Sequence, residues 1–399
     1  MLTAQTIAIV KATVPALQAH GEHITRCFYD LLFREHPEVQ AFFNQSHQAA
    51  GTQQRALADA VLAYAANIDR LEALANAVPR IVQKHAALGV LPEHYPIVGK
   101  CLLQAIREVL GSAATEEIIA AWAEAYGALA KIFTAAEETV YRTNERRSGG
   151  WRGVRPFVVA RRETESEVIT SFYLRPQDDR PIPAFEPGQY LTLVLDIDGQ
   201  STRRNYSLSC APNTAGYRIS VKREQGGKAS NWLHDQATPG TLLNVLPPCG
   251  EFVLPPGNER PLVLVTGGVG LTPALSMLHA AASTGRRVDF IHAARNSRTH
   301  AFAREVDALV DKHAAVTRLY AYDEPLHEDQ PDVVGRLTTQ LLAQRLPADR
   351  NVDLYLLGPK PFMQQVYRSV LELGVVPARI RYEFFGPLES LEAPAVAAV

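Results

Sequence analysis

The sequence predicts a multidomain chain with an all-α domain first, an antiparallel β-barrel second and an α/β doubly wound domain third. The 399 residues are enough for two or three domains of roughly 150 residues each. Apolar residues recur every three or four positions up to about residue 145, and every second position after Gly149-Gly150. From residue 259 onward, apolar strands alternate with helical stretches. We therefore expect domains at 1–147, 148–258 and 259–399.

Composition excludes several classes of protein. The 40 basic and 42 acidic residues nearly cancel, and no run of five or six like charges indicates a nucleic-acid partner. The four cysteines lie tens of residues apart, which excludes a CxxC metal pair and a dense disulfide framework. The N-terminal stretch lacks a basic start with an apolar signal core, and no run approaches the roughly 18 apolar residues of a membrane span. We expect a cytoplasmic protein with no nucleic-acid partner and no stable membrane association.

In the helical domain, one histidine lies on an apolar stripe. Val78, Ile81, Val82 and His85 have the spacing of one helix face, on a helix expected to begin at Pro79 and end at Gly89. A lone histidine in this position is usually a core residue with satisfied hydrogen bonds. Its neighbours therefore decide between a core role and a ligand role.

Two further polar groups point toward the same interior. The next helix, opened by Pro92, directs Tyr95 inward. In the last helix Glu137 occupies a position on an apolar stripe that runs from Ile119 to Val140. Burial of an unpaired carboxylate is costly, so Glu137 should have a partner. The alternative is that Glu137 lies near the helix end and reaches solvent.

Several segments together carry a resemblance. They are Phe28-Tyr29, HPEVQAFFN with Pro37 and Phe43, QQRAL with Gln53 and Leu57, KHAALGV with Lys84 and His85, EHYPIVG, and the Glu137 helix. The whole segment resembles the globin domain of the flavohaemoglobin family. The resemblance implies haem b with His85 as the proximal iron ligand, and Tyr95 and Glu137 as a hydrogen-bonded chain to the other ring nitrogen. An anionic partner makes the histidine a more basic ligand, which favours activation of oxygen over storage.

The same resemblance assigns the opposite side of the haem. Tyr29 and Gln53 would donate hydrogen bonds to bound oxygen, and Leu57 and Phe43 would keep that side apolar. Lys84, next to His85, would belong to the cofactor site. The alternative is that Tyr29 is an ordinary core tyrosine.

The second domain contains a flavin motif. Strands expected at 168–174, 189–195, 204–209 and 217–222 carry Arg204-Asn205-Tyr206-Ser207, which fits the R-x-Y-S pattern of ferredoxin-reductase-like flavin domains. Tyr190 in PGQY precedes the motif, and Gly227 leads to Ser230, the expected N-cap of a short helix that would receive a pyrophosphate. The resemblance implies an FAD site with Arg204 on the phosphate and Tyr190, Tyr206 and Ser207 at the flavin. A Greek-key barrel strand with exposed polar residues is the alternative.

The third domain contains a glycine-rich turn from strand to helix. The segment Gly267-Gly268-Val269-Gly270-Leu271-Thr272-Pro273 lets the backbone turn tightly and approach a nucleotide. Helices are expected at 273–284, 300–312, 336–346 and 361–373. Arg295 and Arg298 follow the second strand, where no acidic residue is available for an NAD ribose, so a 2′-phosphate is admissible. The cofactor is therefore NAD(P)H, with the choice between NADH and NADPH left open.

The end of the chain carries one further match and one departure. Glu383, Phe384, Phe385, Gly386 and Pro387 match the family's terminal segment, and the resemblance places the first two near haem and flavin. The family commonly has a cysteine where this chain has Leu357. We expect the bulkier leucine to crowd the nicotinamide and slow hydride transfer.

The resemblance implies a nitric oxide dioxygenase, in which electrons pass from NAD(P)H through FAD to haem and nitric oxide and oxygen become nitrate. Two alternatives stay open: an oxygen-binding or sensing globin with an attached haem reductase, and a hydroperoxide reductase. We expect nitric oxide and oxygen as small-molecule partners and a monomeric chain. Whether lipid occupies the haem pocket is left open.

Overall fold

The computed structural model describes residues 2–43, 51–74, 77–385 and 391. The chain divides into two compact units. The first contains Met1–Arg147 with Trp151–Val154 and Val194–Arg204. The second contains Ser148–Gly150, Arg155–Leu193 and Asn205–Val399.

The N-terminal part is helical, as the sequence predicts. Its helices are α1 (Ala4–Ala12), α2 (Val14–Glu35), α3 (Thr52–Ala66), α4 (Val78–Leu88), α5 (His94–Leu110) and α6 (Glu116–Arg146). Helix α4 begins one residue before Pro79, and Gly89 ends it in the left-handed conformation with φ of 73°, which glycine adopts without steric cost. Helix α6 continues to Arg146, one residue before the expected domain limit at 147.

Helix α6 is long and apolar enough to cross a membrane by length and composition alone, contrary to the expectation that no run approaches the length of a membrane span. Alanine contributes much of that apolar character. In the helical unit α6 packs against α1, α4 and α5. Its Trp122 and Glu137 are buried there, as in the core helix of a globular domain.

The second part is an antiparallel barrel. Its strands are β1 (Arg155–Thr164), β2 (Ile169–Pro176), β3 (Tyr190–Ile197), β4 (Gln200–Ser207), β5 (Tyr217–Lys222) and β6 (Leu242–Cys249), in the order β4-β3-β6-β1-β2-β5. A bridge between Leu208 and Ile219 links the residue after β4 to β5, so the sheet curls into a barrel in which β4 itself stays an edge strand. Helix α7 (Lys228–Gln236) follows β5. Strands β1 and β6 were missing from the sequence-based assignment.

The third part is a parallel sheet covered by helices, as predicted. Its strands β7 (Leu262–Gly267), β8 (Val288–Ala294), β9 (Val316–Tyr322), β10 (Val333–Val334), β11 (Asp353–Leu357) and β12 (Ile380–Tyr382) have the order β10-β9-β8-β7-β11-β12. Its helices are α8 (Leu271–Ser283), α9 (Ala303–Lys312), α10 (Thr339–Arg345) and α11 (Lys360–Glu372). The order reverses beside β7, so the glycine-rich turn after β7 lies at the topological switch point, where such sheets bind ligands.

Candidate functional site

Three polar side chains meet inside the helical unit. Nδ1 of His85 lies 2.7 Å from Oε1 of Glu137 and 3.2 Å from the hydroxyl of Tyr95. The Tyr95 hydroxyl donates to the same Oε1 across 2.5 Å. Glu137 is 2% exposed, so the alternative in which it reaches solvent is wrong. We call this arrangement the proximal triad.

The surrounding helices hold the triad in place. The Tyr126 hydroxyl donates to the Tyr95 carbonyl across 2.7 Å, and the Phe133 ring lies 5.8 Å from the His85 ring. A side chain at Gly99 would lie 2.5 Å from the Tyr126 ring, so glycine is required there. Burial and the neighbouring Glu137 carboxylate raise the pKa of Tyr95 well above its usual value. Tyr95 therefore stays protonated and donates.

The triad fits a haem ligand. Because Nδ1 of His85 is used by Glu137, the other ring nitrogen, Nε2, is the one left to bind iron. The His85 side chain is 33% exposed although it lies on the apolar stripe of α4. A carboxylate partner that fixes the histidine tautomer is the usual support for a metal-binding imidazole.

The residues expected on the opposite side of the haem belong to the same helical unit. Tyr29 is buried, and its ring lies 5.6 Å from that of Phe43. Leu57 and Phe43 pack against the cluster that contains Tyr29. Gln53 lies in the first turn of α3, and Lys84 lies on α4; both are partly buried.

In the barrel, the flavin motif lies on the edge strand β4. The Arg204 guanidinium donates to the Arg203 carbonyl across 2.7 Å, and Asn205 accepts from the Thr192 hydroxyl at 2.8 Å. Arg204, Tyr206 and Ser207 are partly exposed, and Asn205 is exposed. An edge strand with accessible polar side chains can receive a cofactor along its length.

Tyr190 gives an independent sign of a cofactor site. It is 7% exposed, and its hydroxyl has no hydrogen-bond partner among the described residues. Burial raises its pKa well above the usual value, and the Glu383 carboxylate adds to this effect. A buried phenol that keeps its proton and lacks a protein partner fits a position beside a bound flavin.

The expected capping role of Ser230 is wrong. Helix α7 begins at Lys228 with Gly227 as its N-cap, so Ser230 is its third residue. The Ser230 hydroxyl instead accepts from the backbone N–H of Glu224 at 3.2 Å. A side chain at Gly227 would lie 2.6 Å from that hydroxyl. The open N-terminus that could receive a phosphate therefore belongs to Gly227-Lys228.

The glycine-rich turn is closely packed against the end of β11. A side chain at Gly270 would lie 2.7 Å from the carbonyl of Leu357, and Gly268 has φ of 55°. Helix α8 starts at Leu271, and the buried Thr272 hydroxyl donates to the Val269 carbonyl at 3.0 Å. Pro273 lies in the first turn, where a missing N–H costs nothing. The turn thus has the backbone geometry of a dinucleotide site.

Topology corrects the expectation that no acidic residue is near Arg295. Glu324 follows β9, the strand beside β8, and its carboxylate lies 4.0 Å from the Arg295 guanidinium. Arg298 lies 3.7 Å from Glu167. Each arginine therefore lies beside an acidic side chain, so within the described residues these two do not form an unpaired cationic site for a 2′-phosphate.

The structure also revises the interpretation of Leu357. Its side chain is fully buried and belongs to the apolar cluster that contains Leu271 and Ala274. The side chain is part of the core, and the Leu357 carbonyl lies beside Gly270 of the glycine-rich turn. The expectation that this side chain crowds the nicotinamide is therefore not supported.

The terminal residues lie only partly in the described region. Phe384 is partly buried, with its ring 5.8 Å from that of Tyr382, and Phe385 is 53% exposed. Gly386 and Pro387 lie outside the described residues.

Sequence reasoning missed Arg203. This residue belongs to the helical unit by its contacts. Its guanidinium donates to the Leu88 carbonyl at the end of the His85 helix, and it lies 3.8 Å from the centroid of the Phe42 ring. The signal available in the sequence was a second arginine directly before the flavin motif.

A histidine held by a buried carboxylate on a globin-like helix, a flavin-type barrel and a nucleotide-binding sheet together define a haem- and flavin-dependent oxidoreductase. Family models agree with each part: the globin family matches residues 26–133, the oxidoreductase FAD-binding domain 156–254 and the oxidoreductase NAD-binding domain 264–368.

Full-length relatives identify the family. A flavohemoprotein of Pseudomonas putida is 53% identical over 393 residues, covering 98% of this chain and 100% of the relative. A flavohemoprotein of Bacillus subtilis is 45% identical, covering 98% and 99%. The crystal structure of a flavohemoglobin from Malassezia yamatoensis with bound FAD and heme aligns with a TM-score of 0.84 at 27% identity, covering 96% of this chain and all of that chain. The chain belongs to the flavohemoprotein family.

Proposed function

We propose that this protein is an NAD(P)H-dependent nitric oxide dioxygenase that converts nitric oxide and oxygen to nitrate. Support comes from the full-length flavohemoprotein relatives. The FAD/NAD-binding domain of a nitric oxide dioxygenase from Vibrio cholerae also aligns with 59% of this chain and all of that domain, with a TM-score of 0.55 at 36% identity. The reductase part of this chain is therefore similar to the reductase part of a nitric oxide dioxygenase.

The observation that carries the proposal is the proximal triad. Haem b, when bound, supplies an iron centre that takes up one electron at a time and binds diatomic gases. Glu137 accepts from His85 Nδ1 at 2.7 Å, fixes the tautomer and makes Nε2 a stronger donor to the metal. A protein that only stores oxygen gains little from such a ligand, so the triad favours oxygen activation over the carrier or sensor alternative.

The remaining residues of the helical domain fit supporting roles. In this proposal Tyr29 and Gln53 orient the reacting gas by hydrogen bonding. Phe43 and Leu57 exclude water, and Lys84 lies at the edge of the cofactor site. The burial of Tyr29 among aromatic rings supports an oriented phenol, because its ring has little room to move.

The reductase residues fit FAD and a nicotinamide nucleotide. Arg204 would bind phosphate, while Tyr190, Tyr206 and Ser207 would contact the flavin together with Asn205. The N-terminus of α7 at Gly227, with Ser230 behind it, would hold the pyrophosphate of FAD. The turn from Gly267 to Pro273 would hold that of NAD(P)H, and Glu383 to Pro387 would complete the site. Because Arg295 and Arg298 are paired with Glu324 and Glu167, we propose NADH as the better substrate.

The same proposal covers domain limits and location. We assign domains to 1–147, 148–258 and 259–399, and the three family matches fall inside these limits. All four cysteines are free, which fits a reducing cytoplasm. We further propose a monomer whose substrates are nitric oxide and oxygen.

An absorption spectrum followed by a rate measurement tests the proposal. Purified protein should show haem and flavin bands, and in air it should consume nitric oxide only when NADH is present. Slow NADH oxidation that nitric oxide does not accelerate would favour the hypothesis of an oxygen carrier or sensor. NADH oxidation that only an alkyl hydroperoxide accelerates would favour the hydroperoxide reductase.

A further inference from the structure

An ion-pair network crosses from the flavin barrel to the nucleotide-binding domain within the second compact unit. Arg218 on β5 is 7% exposed, and its two terminal nitrogens lie 2.8 and 2.9 Å from the two carboxylate oxygens of Glu305 on α9. Nε2 of His279 on α8 donates to the Glu305 carboxylate at 2.6 Å. We call Arg218, Glu305 and His279 the latch.

On the barrel side, the latch is tied to the flavin motif. Arg218 donates through Nε to the Ser209 hydroxyl at 3.2 Å and also to the Ser209 carbonyl. Ser209 lies two residues after Ser207 of the R-x-Y-S motif. Its N–H donates to the Arg218 carbonyl at 2.9 Å. A displacement of Arg218 is therefore transmitted directly to the strand that would contact the flavin.

On the nucleotide side, the latch is tied to the dinucleotide turn. His279 lies on α8, the helix that begins directly after the Gly267–Gly270 turn. Phe302, which immediately precedes α9, is buried and has φ of 64°. The Arg218 guanidinium lies over the Phe302 ring, 4.8 Å from the ring centroid. A bulky residue keeps this left-handed conformation only where its surroundings determine it, so the chain is tightly specified at this contact.

Much of the rest of the contact is apolar, although Arg298 lies 3.7 Å from Glu167 and the Tyr355 hydroxyl donates to the Val253 carbonyl at 2.8 Å. Ile169, Phe252 and Leu254 of the barrel belong to one cluster with Leu271 and Leu275 of the nucleotide domain. Apolar packing is non-directional and allows small sliding motions, whereas a bidentate arginine–carboxylate pair fixes both distance and rotation. The latch supplies such a pair with its arginine side chain 7% exposed, whereas the Arg298 and Glu167 side chains are 60% and 59% exposed.

We infer that Arg218 and Glu305, supported by His279, are positioning residues that set the nicotinamide at transfer distance from the flavin. This inference rests on the proposed function. Hydride transfer needs its reacting atoms about 3 to 3.5 Å apart, and a misplacement of about 1 Å costs on the order of a hundredfold. None of the three side chains needs to touch the substrate for this effect.

The test is the rate of flavin reduction in the holoenzyme. Anaerobic stopped-flow measurements with NADH separate the limiting rate from NADH affinity, and the absorption spectrum gives the FAD and haem content. We expect Glu305→Gln to lower the limiting rate on the order of ten- to a hundredfold with FAD content, haem content and NADH affinity unchanged. We expect Arg218→Lys, which keeps the charge but not the fork, to lower the rate as well.

A matched control uses another arginine–carboxylate pair inside the nucleotide domain. Arg345 binds both carboxylate oxygens of Asp289, away from the barrel residues of the cluster. Asp289→Asn should lower thermal stability without changing the limiting rate. If Glu305→Gln does not fold, His279→Ala serves instead, since it removes only the outer partner, and it should slow reduction several-fold.

Three outcomes would overturn the inference. A limiting rate within about threefold of the unmodified protein would show that the latch does not position the nicotinamide. A slower rate explained entirely by lost FAD or weakened NADH binding would show a purely structural role, and an equal slowing in Asp289→Asn would show a general loss of rigidity. Failure of the proposed function is distinct, because the unmodified protein would then reduce its flavin with NADH but would not consume nitric oxide in air.

Discussion

Replacement of Glu137 by glutamine tests the proximal triad, because the direction and size of its effect on the haem potential can be worked out from the structure. Glu137 is 2% exposed, and its Oε1 accepts from both His85 and Tyr95. A charge-assisted hydrogen bond contributes about 1.5–3 kcal/mol and a neutral one about 0.5–1.5 kcal/mol. The glutamine therefore removes about 1–1.5 kcal/mol from the bond to His85.

The weaker hydrogen bond should shift the midpoint potential of the haem iron. The carboxylate favours the ferric over the ferrous state, because the ferric state has one more positive charge. Without the carboxylate the midpoint potential should rise by at most about 40–65 mV, at 59 mV per factor of ten for one electron, because only the part of the loss that differs between the two oxidation states counts. A spectroelectrochemical titration of the haem bands measures this shift, and Tyr95→Phe should give a smaller one.

The adjacent residue provides the control. Glu138 lies on the same helix, is partly exposed, and pairs with Arg152 at 2.7 Å and with Arg142 at 2.8 Å. Glu138→Gln removes the same charge one residue away from the triad and should leave the potential unchanged. An unchanged potential in Glu137→Gln, or equal shifts in the two variants, would refute the reasoning.

Four further predictions follow from the same structure. His85→Ala should abolish stable haem binding while FAD stays bound, and a normal haem spectrum in this variant would overturn the ligand assignment. Arg204→Ala should remove a charge-assisted phosphate contact of about 1.5–3 kcal/mol and cause loss of FAD on dilution; unchanged flavin content on gel filtration would argue against the R-x-Y-S site. Leu357→Cys should lower the melting temperature because it leaves a void in a filled core, while flavin reduction measured by stopped flow stays unchanged; faster reduction would restore the crowding interpretation. Glu324→Gln should release Arg295 and raise the kcat/KM ratio of NADPH to NADH by up to about fivefold at low salt, the scale of an exposed ion pair; a ratio that does not rise would exclude Glu324 from coenzyme choice.

Regular elements with strong periodicity could be predicted from the sequence. The strand at 217–222 has the predicted limits, and helix α4 differs from its predicted start by one residue. Strands β1 and β6 were missed because apolar and polar residues do not alternate clearly in them. In β1, for example, the register shifts between Val159 and Arg161, which breaks the two-residue period.

Site residues could be predicted where the pattern that indicates them lies within a single helix. His85, Tyr95 and Glu137 come from three helices, but each lies on its own apolar stripe, so their meeting could be expected. Ser230 was misassigned because a serine before a helical run is a common cap, whereas here a glycine takes that position. Sequence spacing near one strand cannot show a partner from the next strand, and for that reason Glu324 escaped notice.

The latch shows the same limit more clearly. Arg218 and Glu305 lie 87 residues apart, in domains with different folds and with no shared motif. Their pairing depends on the docking of one domain on the other, which no local pattern encodes. Only the three-dimensional structure could reveal it.

The yield of nitrate per NADH tests the central claim most directly. Conversion of one nitric oxide and one oxygen molecule to nitrate needs one added electron, and NADH supplies two. In air, the protein should therefore form two nitrate ions for each NADH that is oxidised while nitric oxide is present. No peroxide should be released. Oxidation of NADH with peroxide as the product, or nitric oxide that persists while NADH is consumed, would contradict the account.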